Sequence, residues 1–148
     1  MYRSYIGSPC GLLEICAGPD GITRVSPTDV QLPSEENEWT RACREELRAY
    51  FAGTLQSFTV PLDAEGTEFQ KAVWQAMAQV PYGKTLSYGA LAAGIGNPGA
   101  ARAVGRAVGK NPILILQPCH RIVGADGSPT GFAAGLAWKQ YLLALEQN

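Results

Sequence analysis

The spacing of apolar residues along the chain changes near residues 63–66, and this change limits the folds that the chain can adopt. Before it, short apolar stretches alternate with turn signals rich in glycine and proline, which is typical of strands. After it, apolar side chains recur at helical spacing. The sequence therefore predicts an α+β fold. A small N-terminal α/β domain, with a short antiparallel sheet and a helix, would cover residues 1–62, and a helical C-terminal domain would cover residues 63–148.

The first domain should contain several strands and one helix. Residues 1–30 fit short strands, and residues 35–51 fit a helix that is followed by Gly53. Residues 54–62 fit one more strand with a proline near its end. The N-terminus lacks the apolar stretch of a signal peptide, and no apolar run reaches the ~18 residues that span a bilayer. We therefore expect a cytoplasmic protein with no membrane contact.

The second domain contains two short helices that resemble a helix-turn-helix. Ser87 can cap the first, which would end near residue 93, and the second covers residues 100–109. The second helix has almost no long polar side chains for reading bases, but its small residues would let the backbone lie close to a sugar–phosphate wall. A small-residue helix packed in a core is the alternative interpretation. Around this motif the sequence predicts a capping box at residues 67–70 with a helix to about residue 80, a turn-rich hairpin over 122–130 and a final helix over 136–146.

Charge is divided unevenly along the chain. The net charge is −1, from 12 basic and 13 acidic residues. Residues 69–125 contain no Asp or Glu, and their basic residues are Lys71, Lys84, Arg102, Arg106, Lys110 and Arg121. Such a split predicts a basic face for a polyanion, and chance clustering on a solvated face is the alternative.

The cysteines and the single histidine limit the chemistry. No pair of cysteines has the CxxC spacing and the chain has one histidine, so we expect no zinc site. We also expect no other metal and no cofactor. In a reducing compartment all four cysteines would be free thiols. Cys119 is followed by His120 and Arg121, and basic neighbours lower the pKa of a thiol and activate it. Glu146 and Asp126 are both candidates for a carboxylate that orients the imidazole. By itself, a lone cysteine is more often a small buried hydrophobe.

Residues 111–123, NPILILQPCHRIV, resemble the signature of O6-alkylguanine-DNA alkyltransferases. Residues 81–88 are similar to that family's lead into its helix-turn-helix, and residues 96–98 and 101–105 to its recognition helix and the approach to it. The closing helix of the family is matched by Gly135, Leu136, Lys139, Leu142, Leu143 and Glu146. The similarity covers about residues 62–147, and the first 60 residues are compatible with the family's variable N-terminal domain.

The resemblance implies a catalytic role for each matching residue. Cys119 would accept an alkyl group from O6 of a flipped-out guanine, or from O4 of thymine, irreversibly and once per molecule. His120 would deprotonate Cys119 through a water, and Glu146 would orient His120. Asn111 would brace the turn between recognition helix and active site. The hydroxyl of Tyr88 would act as a hydrogen-bond donor beside the flipped base, and Tyr88 would help to rotate the phosphate of that nucleotide.

The resemblance also implies a partner and a substrate pocket. A monomer would bind double-stranded DNA that contains O6-alkylguanine through the minor groove, with Arg102 filling the gap left by the flipped base. The DNA-binding candidates are Lys84, Tyr88, Ala101, Arg102, Ala103, Gly105, Arg106 and Arg121. The pocket candidates are Tyr88, Ile122, Phe132, Ala133, Ala134 and Lys139, with the backbone carbonyls of Cys119 and Ile122 accepting from the guanine amine.

The pocket loop departs from the family pattern, which commonly reads Gly-Tyr-x-Gly-Gly. Phe132 lacks the phenol hydroxyl, and Ala134 stands in place of a glycine, so we expect a narrower pocket. Three other functions remain open at this point. The first is a lesion-binding protein without transfer activity, a class of relatives that replace the acceptor cysteine. The second is a helix-turn-helix regulator, which reads base sequence. The third is a cysteine hydrolase, which turns over its substrate.

Overall fold

The computed structural model describes residues 1–126 and 135–147. The chain forms two compact units, Met1–Glu65 and Gly66–Asn148. The sequence places the boundary after residue 62, and the structure places it after Glu65. The first unit contains a small antiparallel sheet and a helix, and the second is mainly helical, which confirms the predicted α+β class.

The first unit is a three-stranded antiparallel sheet with the strands in chain order and one helix against it. Its elements are β1 (Tyr2–Ser8), β2 (Gly11–Ala17), β3 (Ile22–Pro27) and α1 (Glu38–Phe51). Leu13 and Ile15 of β2 are fully buried, as are Cys43 and Leu47 of α1. This alternation along the strand and the helical spacing on α1 give the unit its apolar core.

Helix α1 begins three residues later than the sequence predicts, at Glu38 rather than at residue 35. Asn37 determines this start, because its side chain accepts from the backbone N–H of Thr40 at 2.9 Å. The Thr40 hydroxyl accepts in turn from the backbone N–H of Asn37 at 3.0 Å. Such a reciprocal cap satisfies two N–H groups that would otherwise have no partner in the first turn.

The predicted strand over residues 54–62 is wrong. Within the described residues, this segment makes one isolated bridge, between Leu62 and Ile22. The backbone N–H groups of Thr59 and Val60 donate to the Glu46 carboxylate at 3.0 and 3.2 Å, so they are not available to a sheet. Pro61 has no N–H to donate.

The second unit carries the helix-turn-helix. Its elements are α2 (Glu68–Met77), β4 (Leu86–Ser87), α3 (Tyr88–Gly94), α4 (Ala101–Gly109), β5 (Ile122–Val123) and α5 (Leu136–Gln147), with one-turn 3-10 helices at Pro98–Ala100 and Cys119–Arg121. Helices α3 and α4 pack against each other and against α2. The Nε1 atom of Trp74 donates to the carbonyl of Ala107 at 2.8 Å, which fixes α4 on α2.

Local capping signals in this unit are confirmed. Thr67 and Gln70 form the predicted reciprocal cap of α2, although the helix ends at Met77 rather than near residue 80. The Ser87 hydroxyl caps α3 by accepting from the backbone N–H of Ala90 at 3.0 Å. Strand β5 pairs in parallel with β4, and the rest of the segment predicted as a hairpin, residues 127–130, lies outside the described residues. Each described helix is too short or too polar to cross a membrane.

Candidate active site

Cys119 opens a one-turn helix that follows a buried apolar segment, residues 113–116. Its side chain is 2% exposed. The chain reaches it through a tight turn in which the N–H of Leu116 donates to the carbonyl of Leu114 at 2.8 Å. This turn forces Ile115 to a φ of 72°, a left-handed value that a β-branched residue rarely adopts. Backbone strain of about 1–3 kcal/mol therefore lies four residues before the candidate nucleophile.

Asn111 and Gln117 both stabilise this turn through hydrogen bonds. The Oδ1 atom of Asn111 accepts from the backbone N–H of Ile113 at 3.0 Å and from Nε2 of Gln117 at 2.7 Å. Its Nδ2 atom donates to the carbonyl of Gln117 at 2.8 Å. Because Asn111 lies two residues beyond the end of α4, it connects that helix to the turn of Cys119. The sequence analysis did not predict Gln117 as a site residue, because it directly follows an apolar run.

His120 is fully buried and contacts Glu146 of α5. Its Nε2 atom lies 2.6 Å from Oε2 of Glu146. Within residues 1–126 and 135–147, Nδ1 of His120 is buried and has no hydrogen-bond partner. The other candidate carboxylate, Asp126, is exposed. Glu146 is therefore the residue that orients the ring.

Lys139 is also fully buried, on the same helix as Glu146. Its Nζ atom donates to the carbonyl of Ile122 at 2.6 Å and lies 5.9 Å from the centre of the Tyr88 ring. Tyr88 is the first residue of α3 and is half-buried. The predicted pocket residues Tyr88, Ile122 and Lys139 therefore meet beside the active-site turn.

The surroundings keep the resting thiol protonated. Burial raises the pKa of Cys119 to about 11, while the hydrogen bond from Asn111 and the charge of Lys139 act in the opposite direction. Burial lowers the pKa of His120 below its ordinary value, against the hydrogen bond and the charge of Glu146, which raise it. A thiol next to a neutral imidazole can release its proton to that imidazole when an electrophile approaches.

Comparison with known proteins connects this arrangement to a family. Residues 68–148 match the DNA-binding domain of 6-O-methylguanine DNA methyltransferases, and residues 1–64 match the ribonuclease-like domain of the same proteins. The methylated-DNA–protein-cysteine methyltransferase of Methanosarcina acetivorans is 46% identical over 153 residues, which span 99% of this chain and 98% of that protein. The chain belongs to the 6-O-methylguanine DNA methyltransferase family.

Further members of this methyltransferase family agree over the whole length. The methylated-DNA–protein-cysteine methyltransferase of Methanosarcina mazei is 50% identical, and the match spans 100% of this chain and 98% of that protein. A crystal structure of Mycobacterium tuberculosis OGT in complex with DNA has a TM-score of 0.91 and 42% identity, and it covers 99% of this chain and 93% of the other. The O6-methylguanine methyltransferase structure from the same organism has a TM-score of 0.89 at 41% identity, over 99% and 92% of the two chains.

Most of the DNA-binding candidates of this family member lie on accessible surface. Lys84, Arg102 and Arg106 are exposed. The small residues Ala101, Ala103 and Gly105 of α4 are half-buried. Three predicted pocket residues, Phe132, Ala133 and Ala134, lie outside the described residues.

Arg121 does not occupy the position predicted for a DNA contact. It is 7% exposed, and its guanidinium donates to Glu146 and, at 2.8 Å through Nη1, to the carbonyl of Val80. The one-turn helix directs it into the buried site. Arg121 is thus part of that site, and the prediction that places it on the DNA-binding surface is wrong.

Proposed function

We propose that this protein repairs DNA by transferring an alkyl group from O6 of guanine to Sγ of Cys119, irreversibly and once per molecule. The observation that carries the proposal is the burial of Cys119 beside the His120–Glu146 pair, in a chain of this methyltransferase family. O4 of thymine presents a similar alkylated oxygen and is a second candidate substrate. Since the acceptor must be a reduced thiol, the proposed compartment is the cytoplasm.

The transfer requires a base and a proton donor. His120 takes the thiol proton of Cys119 through a water, and Sγ then attacks the alkyl carbon. The bond from that carbon to O6 breaks, its electron pair passes to the guanine, and the guanine gains one proton in place of the alkyl group. A hydrogen bond donated by the hydroxyl of Tyr88 would reduce the negative charge that develops on the leaving base. The thioether has no easy route of hydrolysis, so each molecule acts once.

Access to O6 requires the nucleotide to leave the duplex. Extrusion of a base costs a few kcal/mol, and less for a damaged pair. Helix α4 supports this step because it exposes Arg102 and Arg106 between small residues, which permits close approach of the backbone to the minor groove. Arg102 would fill the gap in the base stack. We propose a monomer that uses no cofactor.

The experiment is intact-mass measurement after incubation with a duplex oligonucleotide that contains O6-methylguanine. We expect a gain of one methyl group per molecule, located on Cys119. Cys119→Ser should gain nothing while it keeps its fold and its DNA binding. A variant in which Cys10, Cys16 and Cys43 are replaced together is the matched control, and it should still gain one methyl.

Other outcomes would select other functions. Tight binding of the damaged duplex without a mass change would indicate a lesion-binding protein. Preference for one undamaged sequence would indicate a helix-turn-helix regulator, and repeated turnover of an ester or amide would indicate a hydrolase. Full methyl transfer by Cys119→Ser would refute the assignment of the acceptor.

A further inference from the structure

The carboxylate of Glu146 is surrounded by donors on both of its oxygens. Oε1 accepts from Nε of Arg121 at 2.9 Å and from the backbone N–H of Gly83 at 3.1 Å. Oε2 accepts from Nη2 of Arg121 at 3.0 Å, and it is also the atom that contacts His120. A carboxylate that receives a guanidinium on both oxygens is held in its ionised form.

The position of Arg121 is itself well determined. Its Nη1 atom is bound to the carbonyl of Val80, and its guanidinium lies 5.7 Å from the centre of the Tyr82 ring. Gly83, which follows, has a φ of 78°, and a Cβ there would lie 3.1 Å from the Glu146 carbonyl. Residues 80–83, which precede the helix-turn-helix, therefore contact both Arg121 and Glu146.

An ionised Glu146 fixes the tautomer of His120. Because an ionised carboxylate only accepts hydrogen bonds, the 2.6 Å contact requires a proton on Nε2. In the neutral ring, Nδ1 then carries the lone pair. Nδ1 is the atom without a partner among the described residues, so the lone pair is available to take the thiol proton.

Several charged or titratable groups face His120. Cys119 and Arg121 flank it in its own turn, and Glu146 and Lys139 approach it from α5. Glu146 favours the protonated imidazole, whereas burial and the positive charges of Arg121 and Lys139 oppose it, with burial the largest cause of the lowered pKa. Without Arg121, the buried Glu146 would lose the positive charge that Arg121 supplies, and the Glu146–His120 pair would gain a proton at Nδ1.

We propose that Arg121 is a positioning residue for alkyl transfer: by binding both oxygens of Glu146, it keeps His120 neutral with Nδ1 free to accept a proton. The proposed set of residues that act on the thiol proton thus has four members, Cys119, His120, Glu146 and Arg121. This inference rests on the proposed function for its catalytic meaning, but the state of the ring can be measured without any reaction.

The direct test is nitrogen NMR of the imidazole in the untagged protein. His120 is the only histidine of the chain, so its two ring nitrogens give unambiguous signals. In the wild type at pH 7 we expect a neutral ring with the proton on Nε2. A protonated ring, or a proton on Nδ1, would overturn the proposal without the need for any variant.

The variants separate charge from shape. In Arg121→Met the pKa of His120 should rise by about one unit or more, whereas Arg121→Lys should keep it near the wild-type value. The double variant Arg121→Met/Glu146→Gln should restore a neutral ring, since it removes both charges. Lys71→Met, which removes an exposed charge from the same unit, is the control and should leave the pKa unchanged. An unchanged pKa in Arg121→Met would refute the role of Arg121.

Transfer to free O6-benzylguanine gives the second readout. For Arg121→Met we expect a rate at pH 7 that is lower by about threefold, in line with a rise of about one unit in the pKa of His120, and that recovers as pH rises through the new pKa. A purely structural loss would lower the rate equally at every pH, and this outcome would contradict the proposal. If the wild type gains no methyl group from an O6-methylguanine duplex, the proposed function fails, while the NMR result still decides the state of the ring.

Discussion

The side chain of Gln117 helps to fix the orientation of the Asn111 amide. Two donors, Nε2 of Gln117 and the N–H of Ile113, occupy Oδ1 of Asn111, so Nδ2 must face the opposite side. On that side it donates to the Gln117 carbonyl, and its hydrogen bond to Cys119 lowers the pKa of the thiol against the dominant effect of burial. Gln117 therefore acts on the nucleophile through Asn111.

Replacement of Gln117 by methionine, which has a similar length, tests this connection. We expect the rate of transfer to free O6-benzylguanine at neutral pH to fall about three- to tenfold, since one hydrogen bond contributes roughly 0.5–1.5 kcal/mol. The loss should shrink as pH rises toward the pKa of Cys119. The measurement is the second-order rate constant across pH, with Gln75→Met, an exposed glutamine of α2, as the control. A loss that does not depend on pH would show that Gln117 only supports packing.

The candidate reacting residues could be predicted more fully than the residues that support them. The resemblance to the family implied roles for Cys119, His120 and Glu146, whereas the residues alone left Asp126 open as the orienting carboxylate. The sequence places Arg121 among the DNA-binding candidates, since it lies in the basic segment. Only the one-turn helix, which directs its guanidinium to α5, shows that this charge serves the buried carboxylate.

Helix α4 contains two glycines, which lower its intrinsic helical stability but keep its surface free of large side chains. Gly105 lies within it, and a Cβ there would lie 3.8 Å from the Tyr88 ring, an ordinary contact distance. At Gly109 nothing lies within 4 Å of a Cβ in the described structure. Neither glycine has a positive φ, so alanine fits both positions without backbone strain.

The two glycines provide a matched pair of variants. Gly105→Ala and Gly109→Ala should each stabilise the protein by up to about 1 kcal/mol, because alanine favours a helix over glycine. Only Gly105→Ala should slow repair of duplex DNA, since its methyl group enters the half-buried small-residue surface of α4. Thermal unfolding and the rates with duplex and with free O6-benzylguanine would be compared. Equal duplex rates for the two variants would contradict a close approach of DNA at Gly105.

Local signals determined which elements could be predicted. The caps at Thr67 and Ser87 act within three or four residues, and the structure contains both. The segment at residues 54–62 has the composition of a strand but does not form one, because its N–H groups bind Glu46 on α1. A competitor that lies more than ten residues away along the chain leaves no periodic signal in the segment itself.

The two units carry net charges of opposite sign. Residues 1–65 carry five basic and ten acidic residues, a net charge of −5, and residues 66–148 carry seven and three, a net charge of +4. Arg121 and Lys139 are buried in the second unit, so they do not contribute to a surface for phosphates. Five basic residues of this unit remain exposed. Lys71 lies on α2, and the four that lie on or next to the helix-turn-helix are Lys84, Arg102, Arg106 and Lys110.

Counting only the four exposed charges on or next to the helix-turn-helix gives a quantitative expectation for DNA binding. Each phosphate contact releases counterions, so four contacts predict a slope of about −3 to −4 when the logarithm of the binding constant is plotted against that of the salt concentration. Arg106→Gln should reduce the slope by about one, whereas Arg41→Gln, an exposed arginine of α1 in the acidic unit, should leave it unchanged. The measurement is equilibrium binding of an undamaged duplex by the full chain over a salt series. A slope near zero would exclude the basic surface as the source of affinity, and an equal effect of both variants would show that the net charge of the molecule, rather than the surface around α4, controls the encounter.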